Sequence, residues 1–268
     1  MFGLRHQKGI RPPVAAGRFY PSDANQLQTL IGQLLADVPR EEGLSPKALI
    51  VPHAGYIYSG TTAAAAYAAL LPERDVIRRI ILLGPSHFVP VGGLALSGAE
   101  AFGTPLGHVS IDAEQVNRIR SLPQVRDLDE AHTHEHSLEV QLPFLQTVLS
   151  DFRIVPLAAD EASVAKIAEV LDLLWDGTET RVIISSDLSH YHDSQTARVL
   201  DQATATAIEE LNGDAISEDG ACGRIPICGL LRVARHRGLR ARTLALRNSG
   251  DTTGARDRVV GYGAFAFA

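Results

Sequence analysis

The sequence predicts an α/β protein, a single-domain sheet with helices on both faces. Three observations carry this. The runs Lys47-Ala48-Leu49-Ile50-Val51, Arg79-Ile80-Ile81-Leu82-Leu83 and Arg181-Val182-Ile183-Ile184 have no polar face to turn to water, as expected of parallel strands buried on both sides. Segments of helical periodicity separate the strands almost throughout. No repeat, low-complexity tract or long linker divides the 268 residues, so one domain spanning 1–268 is expected.

Composition narrows the function classes. A net charge of -6 argues against a nucleic-acid surface, which normally shows a basic footprint. No window approaches the ~20 consecutive apolar residues of a membrane span. Met1 to Lys8 lack the apolar core of a signal peptide. Cys222 and Cys228 cannot build a disulfide framework, so a cytoplasmic location is the expectation. The sequence leaves room for self-association without specifying it.

In chain order, the proline- and glycine-rich stretch Arg11 to Pro21 reads as an ordered arm anchored by Phe19 and Tyr20. Ser22 or Asp23 caps a helix with Leu27, Leu30, Ile31, Leu34 and Leu35 at helical spacing; it ends before Pro39 and a charged loop follows. The first buried strand ends at Pro52-His53. After a turn through Ala54 to Gly60, Ser59 or Thr61 opens an alanine-rich helix to Leu71. The strand at Ile80 is stopped by Gly84-Pro85 and followed by Ser86-His87. A short strand at Leu94 to Leu96, a hairpin or irregular connection at Phe102 to Gly107 and a helix over Ala113 to Arg120 come next.

The histidine-dense stretch Glu130 to Ser137 leads into a helix over about 138–149, with Pro143 kinking it or sitting in its first turn. Then come a strand at Phe152 to Leu157, a helix from Ser163 to Leu174, and the buried strand Arg181 to Ser186, whose end spills out as Asp187-Leu188-Ser189-His190. A long helix from about Ser194 to Leu211 and another opened by Gly220-Ala221-Cys222-Gly223-Arg224 precede two closing strands, Arg242 to Leu246 and Val259 to Phe267, joined through a polar turn.

Ligand sites of open α/β sheets lie beyond the carboxyl ends of the strands. His53 and His87 occupy equivalent positions there, and Asp187-x-x-His190 sits at a third strand end. Each histidine alone reads as a hydrogen-bonded loop residue; together they point to a metal, because histidine is the commonest transition-metal ligand. The third ligand is open among Glu135, His136, Asp187 and Cys222. Cys222 is placed at a helix start, where the dipole favours thiolate. Gly84-Pro85-Ser86-His87 lacks the second glycine of a nucleophile elbow, and no phosphate-binding loop is present. Arg78-Arg79, Arg235-His236-Arg237 and Arg256-Asp257-Arg258 read as solvated or turn charges.

Several motifs, in order along nearly the whole chain, resemble the Memo family, called AmmeMemoRadiSam system protein B in prokaryotes. They are Arg11-Pro12-Pro13 to Tyr20-Pro21, Val51-Pro52-His53-Ala54-Gly55-Tyr56, Gly84-Pro85-Ser86-His87, Glu135-His136-Ser137-Leu138-Glu139, Ser185-Ser186-Asp187-Leu188-Ser189-His190-Tyr191 and Cys222-Gly223-Arg224. The resemblance implies a fold like the class III, LigB-type extradiol dioxygenases, which are non-haem iron enzymes. It implies metal ligands at His53, His87 and Cys222, an acid/base histidine at His190 supported by Asp187, and His136 near the pocket. The dioxygenases use two histidines and a carboxylate, whereas Cys222 is a soft donor. The resemblance makes Fe(II) the expected metal, while the soft Cys222 donor adds copper and zinc as alternatives and places simple catechol cleavage in doubt.

The resulting expectation is a metal-dependent oxidoreductase acting on a small molecule. Its rival is a non-catalytic protein binding a peptide or small anion on the same fold. A third reading, metal-free hydrolysis by Cys222 with His190, ranks below both.

Overall fold

The structure, a computed structural model, describes residues 9–39, 43–252 and 255–268. The stretch Met1 to Lys8 and part of the charged loop after Pro39 lie outside the described residues. Strand β1 (Ile10–Arg11) precedes helix α1 (Ala24–Ala36), capped by Asp23, whose side chain accepts the Gln26 N–H. Then follow β2 (Ala48–Val51), α2 (Tyr56–Ala68), β3 (Arg79–Pro85), β4 (Gly93–Leu96), β5 (Ala101–Thr104), β6 (Gly107–Ser110), α3 (Ala113–Ile119), β7 (Val125–Asp127), α4 (Glu130–Thr133), α5 (Leu142–Val148) and β8 (Arg153–Asp160). The chain continues through α6 (Val164–Leu174), β9 (Thr180–Ser185), β10 (His190–His192), α7 (Ser194–Glu209), α8 (Arg224–His236), β11 (Ala241–Asn248) and β12 (Val259–Phe267).

One nine-stranded sheet organises the chain, in the order β10-β12-β2-β9-β3-β8-β4-β7, with β11 also on β12. Its centre, β2-β9-β3-β8, is parallel, so the carboxyl ends of these strands point the same way. Both faces are covered. Ile81 and Leu83 join a core with α3, α6, α7 and α8, while Ile80 and Leu82 join a second core with α1, α2 and α5. The two-residue period of the strand sends alternate side chains to opposite cores, which is why the runs carry no polar positions. In α2 the buried Ala63, Ala64 and Ala66 permit close approach to the sheet.

Several local expectations are corrected. Helix α2 starts at Tyr56, ahead of Ser59 and Thr61, on Gly55 with no side-chain cap. Tertiary anchors set its start: the Tyr56 N–H donates to Phe19 O and its hydroxyl to Val140 O. Strand β3 continues through Gly84-Pro85 rather than stopping before them. The Ser86 N–H donates to Ala159 of β8, so the nitrogen of Pro85 faces the β9 side, where pairing has ended at Leu83; no ladder bond is lost. The expected helix over 138–149 divides into a 3-10 turn at Glu139–Gln141 and α5, with Pro143 in the first turn. Arg79, read as solvated, pairs with Asp112 and Glu179. The connection at Phe102 to Gly107 is a hairpin, β5-β6; unforeseen are β7, β10 and the pairing of β1 with β5 that makes a three-stranded sheet.

The amino-terminal arm is tied down by a buried ion pair. Glu139, fully buried, accepts from the Arg11 guanidinium at 2.6 Å, from the N–H groups of Val14 and Ala15 at 2.8 Å each, and from the Tyr20 hydroxyl. Arg11 also donates to the carbonyls of His132 and Glu135. Removing one partner of such a pair strands a buried charge. The variant Arg11→Met is expected to lose about 3–5 kcal/mol of stability in urea unfolding; a loss below about 1 kcal/mol would show that the pair does not anchor the arm.

His132, in the same network, donates through Nε2 to Ala95 O. Burial lowers its pKa to about 4. The unfolded chain therefore takes up a proton before the folded chain does, and stability falls as pH drops from about 6.5 towards 4. His132→Gln should flatten this part of the stability profile. Superimposable slopes for the two proteins would remove His132 as the cause.

Candidate functional site

The parallel strand ends open into a cleft of about 720 Å³. His53 enters it two residues beyond β2, His87 two residues beyond β3, and Asp187 two residues beyond β9. His190 opens β10, His136 comes from the segment between α4 and α5, and Cys222 from the loop before α8. All six expected site residues thus line one cavity.

The imidazoles are packed against one another. Ring centroids of His53 and His87 lie 5.2 Å apart, those of His53 and His136 5.5 Å, and the His87 and His136 rings stack at 4.8 Å. Among the described residues, His53, His87 and His136 offer ligand atoms all within 4.8 Å of one another. Cys222 stands outside that trio, with its Sγ 3.4 Å from His53 Nε2. His136 is held from its other side by Phe19, stacked at 4.3 Å.

Hydrogen bonds determine which ring nitrogen is free. The Ser185 hydroxyl donates its one proton to Ser137 O at 2.6 Å, so it accepts from His53 Nδ1 at 3.0 Å. His87 Nδ1 lies 2.9 Å from the Glu135 carboxylate, which can only accept when ionised. Both rings therefore carry a proton on Nδ1 and turn Nε2 towards the cleft. Burial opposes the charge on Glu135, but the His87 ring, the His87 N–H and the Ser137 N–H outweigh it and hold its carboxyl down to about 2.

Burial, assisted by neighbouring imidazoles, lowers His53 to about 3 and His136 to about 4. Burial also pushes Asp187 up, against the N–H groups of His53 and Ala54 that donate to its Oδ1. These bonds go to backbone rather than to the His190 ring. The expected lowering of the Cys222 thiol by a helix dipole does not occur. The residue precedes α8 instead of lying in its first turn, and burial together with Asp187 pushes the thiol up to about 12. Its sulfur accepts the Asp187 N–H at 3.3 Å. The loop reaches this depth because residue 223 is glycine: a Cβ there would meet the Ser186 Cβ at 2.8 Å.

The lining residues that the sequence reading did not name as site components include Phe19, Tyr58, Tyr191 and Arg258. Phe19 was expected only as an anchor, Arg258 as a turn charge, Tyr58 as part of the turn after His53, and Tyr191 only as the last residue of the motif Ser185 to Tyr191. A signal existed for Tyr191, which directly follows His190.

The fold and cleft define an α/β protein with an imidazole- and thiol-bearing site at the carboxyl edge of a parallel sheet core. Residues 11–266 match the family described as Memo-like protein, and the chain belongs to that family. It is 36% identical to a MEMO1 family protein of Aquifex aeolicus over 264 residues, covering 94% of this chain and 97% of the relative. It is 35% identical to one from Ignicoccus hospitalis, covering 96% and 98%. Among solved structures it is similar to the uncharacterized protein JW3007 of Escherichia coli K12, with a TM-score of 0.52 and 13% identity over 83% of this chain and all of that one; this likeness concerns the fold alone. No helix among the described residues is long and apolar enough to cross a membrane.

The tautomer assignment is testable in metal-free protein. Long-range proton–nitrogen spectra should show the Nδ1–H form for His53, and Ser185→Ala should shift His53 towards the Nε2–H form. A wild-type His53 already in the Nε2–H form would overturn the assignment.

Proposed function

We propose that the cleft is the metal centre of an oxidoreductase related to the extradiol dioxygenases, acting on a small organic molecule in the cytoplasm. The observation that carries this is the orientation of His53 and His87, whose Nδ1 atoms are engaged by Ser185 and Glu135 while both Nε2 atoms face one cavity. Such outer partners fix tautomer and ring orientation in metal-binding histidines. The donor set fits a borderline-soft cation: uncharged imidazoles beside a sulfur that already accepts an N–H.

His53 and His87 are the donors on which the proposal stands. Cys222 is the third donor that the resemblance implies, and His136 is the competing one on geometry. Iron(II) or copper held there would supply one-electron chemistry. The chain's own residues do the remainder. Phe19 and the paired imidazoles restrict access of water to the inner wall, and His190 stands at the cleft edge as the group that accepts or returns a proton through its ring. Asp187, held by two backbone N–H groups, supplies a fixed acceptor between His53 and His190.

Elemental analysis of untagged protein purified anaerobically provides the test. Wild type should hold near-stoichiometric iron or copper and His87→Ala should hold none. Retained metal in His87→Ala defeats the assignment, and absence of metal from both after reconstitution leaves a binding protein on an enzyme-like fold. Cys222→Ser and His136→Ala separate the third donors: the one that matters lowers metal affinity by about tenfold or more, and loss of the sulfur weakens Cu(I) most.

A further inference from the structure

The mouth of the cleft is built differently from its inner wall. Among the described lining residues, Arg258 is the one lysine or arginine. Its guanidinium lies over the Tyr191 ring, 4.6 Å from the centroid, and makes no ion pair with a described carboxylate. Asp251, in the same polar turn region, is engaged by Arg198, and Asp187 is buried in the cleft lining. A guanidinium without a carboxylate has its planar fork of donors available.

Tyr191 is placed with equal specificity. It is the extra residue in a β-bulge between β10 and β12, where His190 pairs with Val260 and His192 with Val259. Its φ is 65°, a left-handed conformation that a bulky side chain adopts only when its surroundings hold it there. Bulges next to sites re-aim side chains. Here the bulge sends Tyr191, a residue 64% exposed, to the cleft lining, with Arg258 over its ring. Tyr58, also partly exposed, faces the same cavity.

We propose that Arg258 and Tyr191 form an oxyanion clamp at the cleft mouth, and that the natural substrate is a ring-bearing carboxylate or phosphate. Its anionic group sits on the Arg258 fork while its ring lies along the aromatic wall of Tyr191 and Tyr58, pointing inward to His53 and His87. Arginine matches both anions in bidentate geometry, and a ring that already stacks on the guanidinium keeps the fork in place. This rests on the reading of the cleft as a substrate site and adds the substrate class. Arg258 and Tyr191 are specificity-determining residues in this assignment, with no part in the chemistry at the inner wall.

The test uses full-length protein stripped of metal by a chelator, so that binding of an anion to a metal cannot imitate the clamp. Benzoate, phenyl phosphate, neutral benzamide and ring-free acetate are titrated with ligand-observed NMR and calorimetry. At least one of the two ring-bearing anions should bind about tenfold or more tightly than benzamide and acetate; which of them wins distinguishes a carboxylate from a phosphate substrate. Arg258→Gln should erase the preference for the anion, Arg258→Lys should keep part of it, and Tyr191→Gly, which suits the backbone, should erase the preference for the ring. Equal binding of benzoate, phenyl phosphate and benzamide, an unchanged preference in Arg258→Gln, or no binding by any probe would overturn the proposal. The preference found in protein that takes up no iron or copper would support the clamp while removing the metal centre. Metal-loaded protein without the preference would do the reverse.

Discussion

The site depends on a carboxylate that never touches the cleft. Glu139 is fully buried, and an ion there is tolerable only because Arg11, two backbone N–H groups and the Tyr20 hydroxyl surround it. Its partner Arg11 also holds the carbonyls of His132 and Glu135. The pair therefore clamps the amino-terminal arm to the segment that supplies Glu135 and His136. From the arm comes Phe19, stacked on His136; from the segment comes the carboxylate that orients His87. An ion pair across 128 positions of chain thus decides where two imidazoles point.

The same segment solves a second problem, the unpaired polar groups at the ends of parallel strands. Ser137 Oγ donates to Pro85 O at the end of β3, Gln141 Nε2 to Pro52 O just beyond β2, and Ser185 at the end of β9 donates back to Ser137 O. Buried backbone groups must find partners, and here those partners also set the His53 tautomer through Ser185. Close approach is required: a Cβ on Gly84 would lie 2.8 Å from Ser137 Oγ. Satisfying the strand ends and orienting the site are one set of hydrogen bonds.

These facts explain what the sequence could disclose. The strands were legible because a sheet buried on both faces leaves continuous aliphatic runs, and His53 and His87 because each follows such a run closely, two residues after Val51 and four after Leu83. Their convergence with Asp187 and His190 follows from the parallel order of β2, β9 and β3. The Arg11–Glu139 pair was not legible, since nothing local marks a charge whose partner is far along the chain. The start of α2 escaped because tertiary bonds to Phe19 and Val140 replace a cap. Arg258 looked like any arginine in a polar turn; only the β10–β12 pairing brings it over Tyr191. The acidity of Cys222 was misread because a helix-start argument considers the dipole and omits desolvation, which dominates at this depth.

That last correction separates the chemistries open to the cleft. A thiol pushed up to about 12 by burial and Asp187 holds almost no thiolate at neutral pH, and His53, lowered to about 3, is too weak a base to remove its proton. Nucleophilic catalysis needs a thiolate matched to an effective base; the metal-free reading paired Cys222 with His190, but the imidazole that contacts the sulfur is that of His53, at 3.4 Å, so that pairing lacks its contact. The same desolvation serves a different purpose well: imidazoles that stay uncharged keep their Nε2 lone pairs available. A cation among these donors would favour the ionised sulfur that burial alone disfavours. The inner wall is thus ill-suited to attack a substrate by itself and suited in its donors to the proposed cation, while Arg258 lies over Tyr191 elsewhere in the lining. The proposed cation site and the proposed anion site therefore draw on different residues of one cleft.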